Sequence, residues 1–138
     1  MQRNLQRVNR KGGSMTASDL RIGNLVLNRK GNPIKLNIQY IELYQSWEFT
    51  NYTNEKPFIA IALSEDRLID FGFVKDVFGW YNKGMFSISI KEERIVLVKD
   101  RDTSNEYYIE LPFYNKLHEL QNLYRWTVGK ELTEKQKP

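Results

Sequence analysis

The amino-acid sequence predicts an α+β fold, in which an antiparallel sheet packs against a C-terminal helix and one short helix. Short apolar segments separated by turn residues are typical of antiparallel strands. Residues 115–128 instead carry apolar side chains at three- and four-residue steps, the spacing of one helix face. The chain has 138 residues and no cysteine. That length suits one domain that folds without disulfides.

Two strands are predicted near the N-terminus. Asn24 to Asn28 is a short apolar strand, and Arg29 to Pro33 is a turn in which glycine and asparagine tolerate positive φ. Apolar and polar residues alternate from Ile34 to Tyr40, which predicts a half-buried strand and hence a hairpin with a basic tip. The segment from Gly23 to Ile41 resembles the first strands of a small SH3-like barrel, so the sheet is expected to curl into a partial barrel of that kind.

Aromatic residues follow the hairpin, and Trp47, Phe49 and Tyr52 predict a third strand. Together with Tyr40 and Tyr44 they form a set of rings able to stack on nucleic-acid bases. Acidic residues are interspersed among these rings and would repel the phosphates of a nucleic acid. The aromatic residues are therefore expected to belong to the core or to one face of a sheet.

A short helix is predicted after the apolar run from Phe58 to Leu63. Ser64 is a suitable N-cap, and Glu65 and Asp66 in the first turn complement the helix dipole. Gly72 is placed to end the helix.

A β-meander is predicted next. Its strands are Gly79–Tyr81, Phe86–Ile90, a central apolar strand Ile95–Val98, and Tyr107–Leu111. The last element is a helix from about Asn115 to Val128, which ends at Gly129.

The charge is distributed unevenly. The chain carries a net charge of +4, and residues 1–13 hold four basic residues and no acidic one. We expect 1–14 to be a basic, disordered tail, and we hypothesise that translation starts at Met15. Residues 15–132 are predicted to form one domain and 133–138 a frayed tail. With no secretory signal and no apolar run long enough to span a bilayer, we expect a cytoplasmic protein that does not contact membranes.

Two segments far apart in the chain carry a family resemblance. They are Leu20-Arg21-Ile22-Gly23-Asn24 and His118-Glu119-Leu120-Gln121-Asn122-Leu123-Tyr124, with Gly129, Glu131 and Leu132 after the second. Together they resemble small uncharacterised proteins of Bacteroidetes phages, prophages and mobile elements. This chain departs from those proteins at Val128, where they have threonine. The resemblance implies a phage or mobile-element setting and no particular activity.

The C-terminal helix supplies three candidate site residues. His118 is the only histidine, and either a catalytic or a structural role is open to it. Gln121 and Asn122 either recognise a partner or satisfy buried backbone groups. Arg29, Lys30 and Lys35 on the hairpin are the candidates for contact with phosphate.

Motifs for metal, cofactor and covalent chemistry are not found. Asp100 to Asn105 begins like a calcium loop, but asparagine replaces the required glycine at the sixth position and Leu111 replaces the required glutamate at the twelfth. A turn is the favoured interpretation. The sequence has no phosphate-binding glycine loop and no nucleophile elbow, so we expect no catalytic residue, no metal and no cofactor.

Three functional hypotheses follow. The first is a non-enzymatic accessory protein of a phage or mobile element that binds a protein partner through the hairpin tip and the exposed side of the C-terminal helix. The second is a nucleic-acid-binding module that uses the hairpin tip and the basic tail. The third, an enzyme built around His118, has the least support. The oligomeric state is left open.

Overall fold

The computed structural model describes residues 15–50 and 55–135. The predicted N-terminal tail, Tyr52 and the last three residues of the predicted C-terminal tail lie outside these ranges. Contacts divide the chain into two compact units. Unit 1 comprises Met1–Ala62 and Lys116–Leu123, and unit 2 comprises Leu63–Asn115 and Tyr124–Pro138.

Unit 1 contains a three-stranded antiparallel sheet with β1 (Leu25–Asn28) between β2 (Pro33–Lys35) and β3 (Phe58–Ala60). A 3-10 turn, Ala17–Asp19, precedes the sheet. One cluster of buried apolar residues in the unit comprises Met15, Ala17, Val26, Leu36, Tyr44 and Phe58.

The predicted hairpin of β1 and β2 is confirmed. The side-chain oxygen of Asn28 accepts hydrogen bonds at 2.9 Å from the backbone N–H groups of Lys30 and Asn32. Gly31 adopts a φ of 83° in the turn, a conformation that residues with a Cβ rarely adopt.

Two strand predictions directly after the hairpin are wrong: the second half of the Ile34–Tyr40 strand, and the third strand at Trp47 and Phe49. Strand β2 ends at Lys35, and α1 (Ile38–Phe49) takes the place of the rest of that strand and of the third strand predicted at Trp47 and Phe49. Asn37 is the N-cap, whose side chain accepts a hydrogen bond from the backbone N–H of Tyr40 at 2.9 Å. The sequence does not show the helix clearly, because exposed apolar residues, among them Leu43 and Phe49, interrupt the helical spacing of its buried apolar residues.

Unit 2 begins with the predicted short helix, α2 (Glu65–Asp70). The Ser64 side chain accepts a hydrogen bond from the backbone N–H of Arg67 at 3.2 Å, which confirms the predicted N-cap. Gly72 has a φ of 90° just after the helix, as the predicted helix end requires.

The rest of unit 2 is a five-stranded antiparallel meander, with the strands in sequence order across the sheet. The strands are β4 (Val74–Lys75), β5 (Tyr81–Lys83), β6 (Phe86–Ser89), β7 (Arg94–Lys99) and β8 (Tyr107–Leu111). One face is apolar and buried, with Tyr81, Phe86, Ile88, Ile95 and Leu97. The four predicted strands of the meander are confirmed, although the first of them, β5, lies two residues later than expected, and β4 was not predicted.

The last helix is α3 (Leu117–Val128), and the boundary between the two units falls within it, after Leu123. Mixed helices and antiparallel strands confirm the α+β class, although the strands form two sheets. In the described ranges β2 and β3 are the edges of one sheet and β4 and β8 those of the other. No helix of the described residues is both long and apolar enough to cross a membrane.

Candidate functional site

The three basic candidates lie on the exposed β1–β2 hairpin of unit 1. Arg29 donates a hydrogen bond to the backbone carbonyl of Glu55 at 3.2 Å, and its Nε lies 3.8 Å from the Glu55 carboxylate. This ion pair offsets part of the positive charge at the tip. Lys30 and Lys35 are exposed on the same hairpin.

Gln121 and Asn122 contact the N-terminal part of unit 1. The Gln121 side-chain oxygen accepts a hydrogen bond from the buried backbone N–H of Leu25 at 2.8 Å. The Asn122 side chain accepts from Asn24 Nδ2 at 2.9 Å and donates to the Asp19 carbonyl at 2.8 Å. Of the two roles left open by the sequence, these contacts match the satisfaction of backbone groups. They also join the Leu20–Asn24 segment to the first half of α3.

His118 is buried in unit 1, with 2% of its surface exposed. The pKa of His118 is lowered to about 4. Burial is the largest cause; the charge of Asp19 acts against it, and the charge of Lys116 acts with it. The Nδ1 atom has no hydrogen-bond partner among the described residues. The imidazole is therefore neutral at physiological pH and enclosed by the protein.

A cleft of about 470 Å³ lies in unit 2, on the face of the five-stranded sheet opposite its apolar core. Residues from four strands and two loops line it. They are Asp76, Phe78, Trp80, Asn82, Ser87, Arg94, Val96, Val98, Arg101, Asp102, Glu106 and Tyr108.

A line of hydrogen bonds crosses the floor of the cleft. Arg101 Nη2 donates to Ser87 Oγ at 2.9 Å, and Ser87 Oγ donates in turn to Asn82 Oδ1. Asn82 Nδ2 donates to Asp76 Oδ2 at 3.0 Å. We call Arg101, Ser87, Asn82 and Asp76 the polar line. It connects the loop after β7 with the loop before β5 across the intervening strands.

Asp76 organises the loop before β5. Its Oδ1 accepts hydrogen bonds from the backbone N–H groups of Phe78 at 2.9 Å and Trp80 at 3.0 Å. Burial by itself raises the pKa of Asp76, but hydrogen bonds from Asn82 and from the backbone N–H groups of the loop outweigh it and lower the pKa. The ionised carboxylate thus fixes a tight loop whose tip exposes Phe78, 86% accessible.

The loop after β7 holds Arg101 over the sheet. Asp100 and Asp102, on either side of it, adopt left-handed φ values of 52° and 65°. Aspartate tolerates this conformation better than most residues. The Thr103 hydroxyl donates to the Asp100 carbonyl at 2.7 Å, which closes the turn. Arg101 also donates to the Gly84 carbonyl at 3.2 Å.

Aromatic side chains and charged pairs form the rim of the cleft. The Arg94 guanidinium lies 5.4 Å from the centre of the Trp80 ring and its Nε lies 3.0 Å from the Glu110 carboxylate. Glu106 accepts hydrogen bonds from the backbone N–H of Asp102 at 2.9 Å and from the Tyr108 hydroxyl at 3.0 Å, and both lower its pKa. The rim is therefore rich in aromatic rings, and hydrogen bonds hold the Glu106 carboxylate in place.

The arrangement suits binding better than acid–base chemistry. A general acid or base works best with a pKa near the operating pH, whereas the pKa values of Asp76 and Glu106 are both lowered. Within the described part of the chain, no group of three or more histidine, aspartate or glutamate residues is arranged to hold a metal ion.

The cleft was not predicted from the sequence. Residues 100–105 were correctly predicted to form a turn, but no role was predicted for Arg101. Ser87 faces away from the apolar core and is buried under the Arg101 side chain. The one local signal was Asp76 three residues before Gly79, a pattern that favours a turn closed by the aspartate side chain.

In comparisons with protein-family models, curated proteins and solved structures, no match to this chain was found.

Proposed function

We propose that this chain is a non-enzymatic accessory protein that binds a segment of a protein partner in the cleft on the five-stranded sheet. The observation that carries the proposal is the cleft itself: about 470 Å³ of space with aromatic walls above an ordered polar floor. Pockets that bind ligands are commonly lined by apolar and aromatic side chains with a few fixed polar groups.

The exposed loop tip adds to this support. Val77 and Phe78 are 93% and 86% accessible, although the Asp76 hydrogen bonds hold their loop in place. Large exposed apolar side chains on an ordered loop lose little conformational entropy when a partner covers them. Aromatic side chains, including phenylalanine, are enriched in the buried cores of protein–protein interfaces.

The setting in a phage or mobile element of Bacteroidetes, and the cytoplasmic location, are parts of the proposal that rest on the sequence. The setting depends on the Leu20–Asn24 and His118–Tyr124 motifs. Their mutual hydrogen bonds give these motifs a structural role in unit 1, and the partner-binding cleft lies in unit 2.

Nucleic-acid binding at the hairpin is the alternative hypothesis. Lys30 and Lys35 support it through their exposure, whereas the pairing of Arg29 with Glu55 weakens it. Anisotropy with labelled DNA and RNA at two salt concentrations tests it, because binding through phosphates weakens steeply as salt rises.

A displayed peptide library selected against the purified protein tests the main proposal. We expect enriched peptides to carry at least one large apolar residue and to lose about tenfold in affinity, measured by anisotropy, when Phe78→Ala is introduced. Phe49→Ala is the matched control, because Phe49 is 89% exposed on α1 in the other unit.

Two results would contradict the proposal. One is that no peptide is enriched. The other is that enriched peptides bind the Phe78→Ala variant as tightly as the unaltered protein, or lose affinity for the Phe49→Ala variant instead.

A further inference from the structure

Strand β8 is an edge of the five-stranded sheet. The backbone N–H of Val98 donates to the Met85 carbonyl at 2.6 Å, so the backbone groups of Val98 point toward β6. Since these groups alternate along a strand, those of Leu97 point toward β8, where Leu97 is paired with Ile109. The N–H and C=O groups of Tyr108 and Glu110 therefore point outward, away from the sheet.

This edge has little of the usual protection against pairing. Natural sheets guard their edges with lysine, proline, bulges or very short strands. Strand β8 has five residues in regular register with β7, and Glu110 is its one charged residue. Tyr107, Tyr108 and Ile109 are all exposed.

We propose that the protein forms a symmetric dimer in which the β8 strands of two copies pair antiparallel, with Ile109 of one copy opposite Ile109 of the other. A second copy is the occupant that the sequence of the strand itself favours, because β8 is complementary to itself in this register. Tyr107 then lies opposite Leu111, and Tyr108 lies opposite Glu110.

The hydrogen-bonding pattern supports the same register. The residues whose backbone groups point outward, Tyr108 and Glu110, become each other's partners in both halves of the dimer. Each outward N–H finds a carbonyl, and each outward carbonyl finds an N–H. Ile109 faces its counterpart as a pair without hydrogen bonds, in which Cα atoms approach to about 4.5 Å.

Neighbouring registers are less favourable. Pairing centred on Tyr108 sets Glu110 opposite Glu106, two carboxylates whose repulsion destabilises a cross-strand pair. Pairing centred on Glu110 sets the two Glu110 residues against each other, and it sets Tyr108 opposite Pro112, which has no N–H to donate. In both of these registers one strand slides by two residues relative to the other. Sliding it by a single residue would instead exchange the two faces of the sheet.

The dimer would be weak, since one short strand from each copy buries less than the roughly 1,200 Å² of a typical stable interface. Its two-fold axis is perpendicular to the sheet, so that both clefts open on the same face of one continuous sheet.

Cysteine cross-linking tests the register, because the chain contains no cysteine of its own. We expect Ile109→Cys to give a disulfide-linked dimer under mild oxidation, since a Cα separation of about 4.5 Å is within disulfide range. Tyr107→Cys is the matched control. In the proposed register its two copies are about 13 Å apart, so it forms little covalent dimer. Equal or faster linking of Tyr107→Cys would overturn the register.

Analytical ultracentrifugation tests the dimer in the protein without cysteine. We expect the mass of 16.4 kDa to approach twice that value as concentration rises through the micromolar range. Tyr108→Glu opposes Glu110 of the second copy and should weaken the dimer roughly fivefold, whereas Tyr108→Lys should strengthen it by a similar factor. A mass that stays monomeric at every concentration, or both variants acting in the same direction, would overturn the proposal.

The two proposals fail independently. Phe78→Ala, which tests the cleft, leaves β8 unchanged and should leave the dimer unchanged as well. Loss of dimer formation in that variant would contradict the assignment of the interface to β8.

Discussion

The side-chain oxygen of Gln121 accepts a hydrogen bond from the backbone N–H of Leu25 at 2.8 Å, so a residue of α3 satisfies a buried backbone group of β1. Asn122, the next residue, bonds to Asn24 and Asp19. The segments around Asn24 and Gln121, far apart in the sequence, are therefore joined by one hydrogen-bonded network in unit 1.

Replacing Gln121 with alanine is expected to lower the free energy of unfolding by about 1–3 kcal/mol. The substitution leaves the Leu25 N–H buried without its acceptor, and a buried polar group without a partner costs roughly that much. Urea unfolding followed by circular dichroism measures the change. Gln45→Ala on α1 is the control, since Gln45 is exposed and the change there should stay within about 0.5 kcal/mol. Equal effects of the two substitutions would contradict the role given to Gln121.

Acid should destabilise the protein through His118. The unfolded chain binds a proton near the ordinary pKa of 6.5, whereas burial lowers the pKa of His118 in the folded protein to about 4. Between these values the unfolded state holds more protons, so the free energy of unfolding falls as the pH falls. The loss from this residue approaches about 3 kcal/mol and levels off below pH 4.

His118→Leu isolates that contribution. The variant has no imidazole to titrate, so its stability should depend less steeply on pH between 6.5 and 4 than that of the unaltered protein. The measurement is a series of urea unfolding curves across this range. Parallel pH profiles for the two proteins would show that His118 does not titrate as proposed.

The parts of the fold that the sequence predicts well are those with local signals. Ser64 and Gly72 mark the ends of α2, and short apolar segments between turn residues mark four strands of the meander. Helix α1 was missed because apolar and polar residues alternate from Ile34 to Tyr40, a pattern typical of a strand. The Asn37 N-cap is a weak signal by itself, because asparagine is also common in turns and loops.

The candidate site could not be predicted from the sequence, for a different reason. Arg101 meets Ser87 only because β6 and β7 pair in a particular register and the turn of Asp100 and Asp102 directs the arginine back over the sheet. Neither the register nor the direction of a loop side chain follows from residue types alone. For the same reason the roles of Gln121 and Asn122 stayed open until their partners were known.

The polar line should behave as one unit. Ser87 lies between Arg101 and Asn82, so Ser87→Ala removes two hydrogen bonds at a buried position and should cost about 1–2 kcal/mol of stability. Asn82→Ala in the same protein should then cost less than it does alone, with a coupling of at least about 0.5 kcal/mol in a double-mutant cycle. Ser104→Ala, at an exposed turn position, is the control. Additive effects of Ser87→Ala and Asn82→Ala would mean that the two side chains are energetically independent.

The β6–β7 hairpin holds a residue whose replacement should stabilise the protein. Glu93 is exposed and has a φ of 54°, a left-handed conformation that costs a residue with a Cβ roughly 1–2 kcal/mol. Glu93→Gly relieves this strain, and the greater freedom of glycine in the unfolded chain offsets about 0.5–1 kcal/mol of the gain. We expect a net increase in the free energy of unfolding of up to about 1.5 kcal/mol. Glu92→Gly is the matched control, because Glu92 does not have a positive φ and should only lose stability. Thermal unfolding of the two variants beside the unaltered protein makes the comparison, and a lower melting temperature for Glu93→Gly would contradict the strain assigned to that turn.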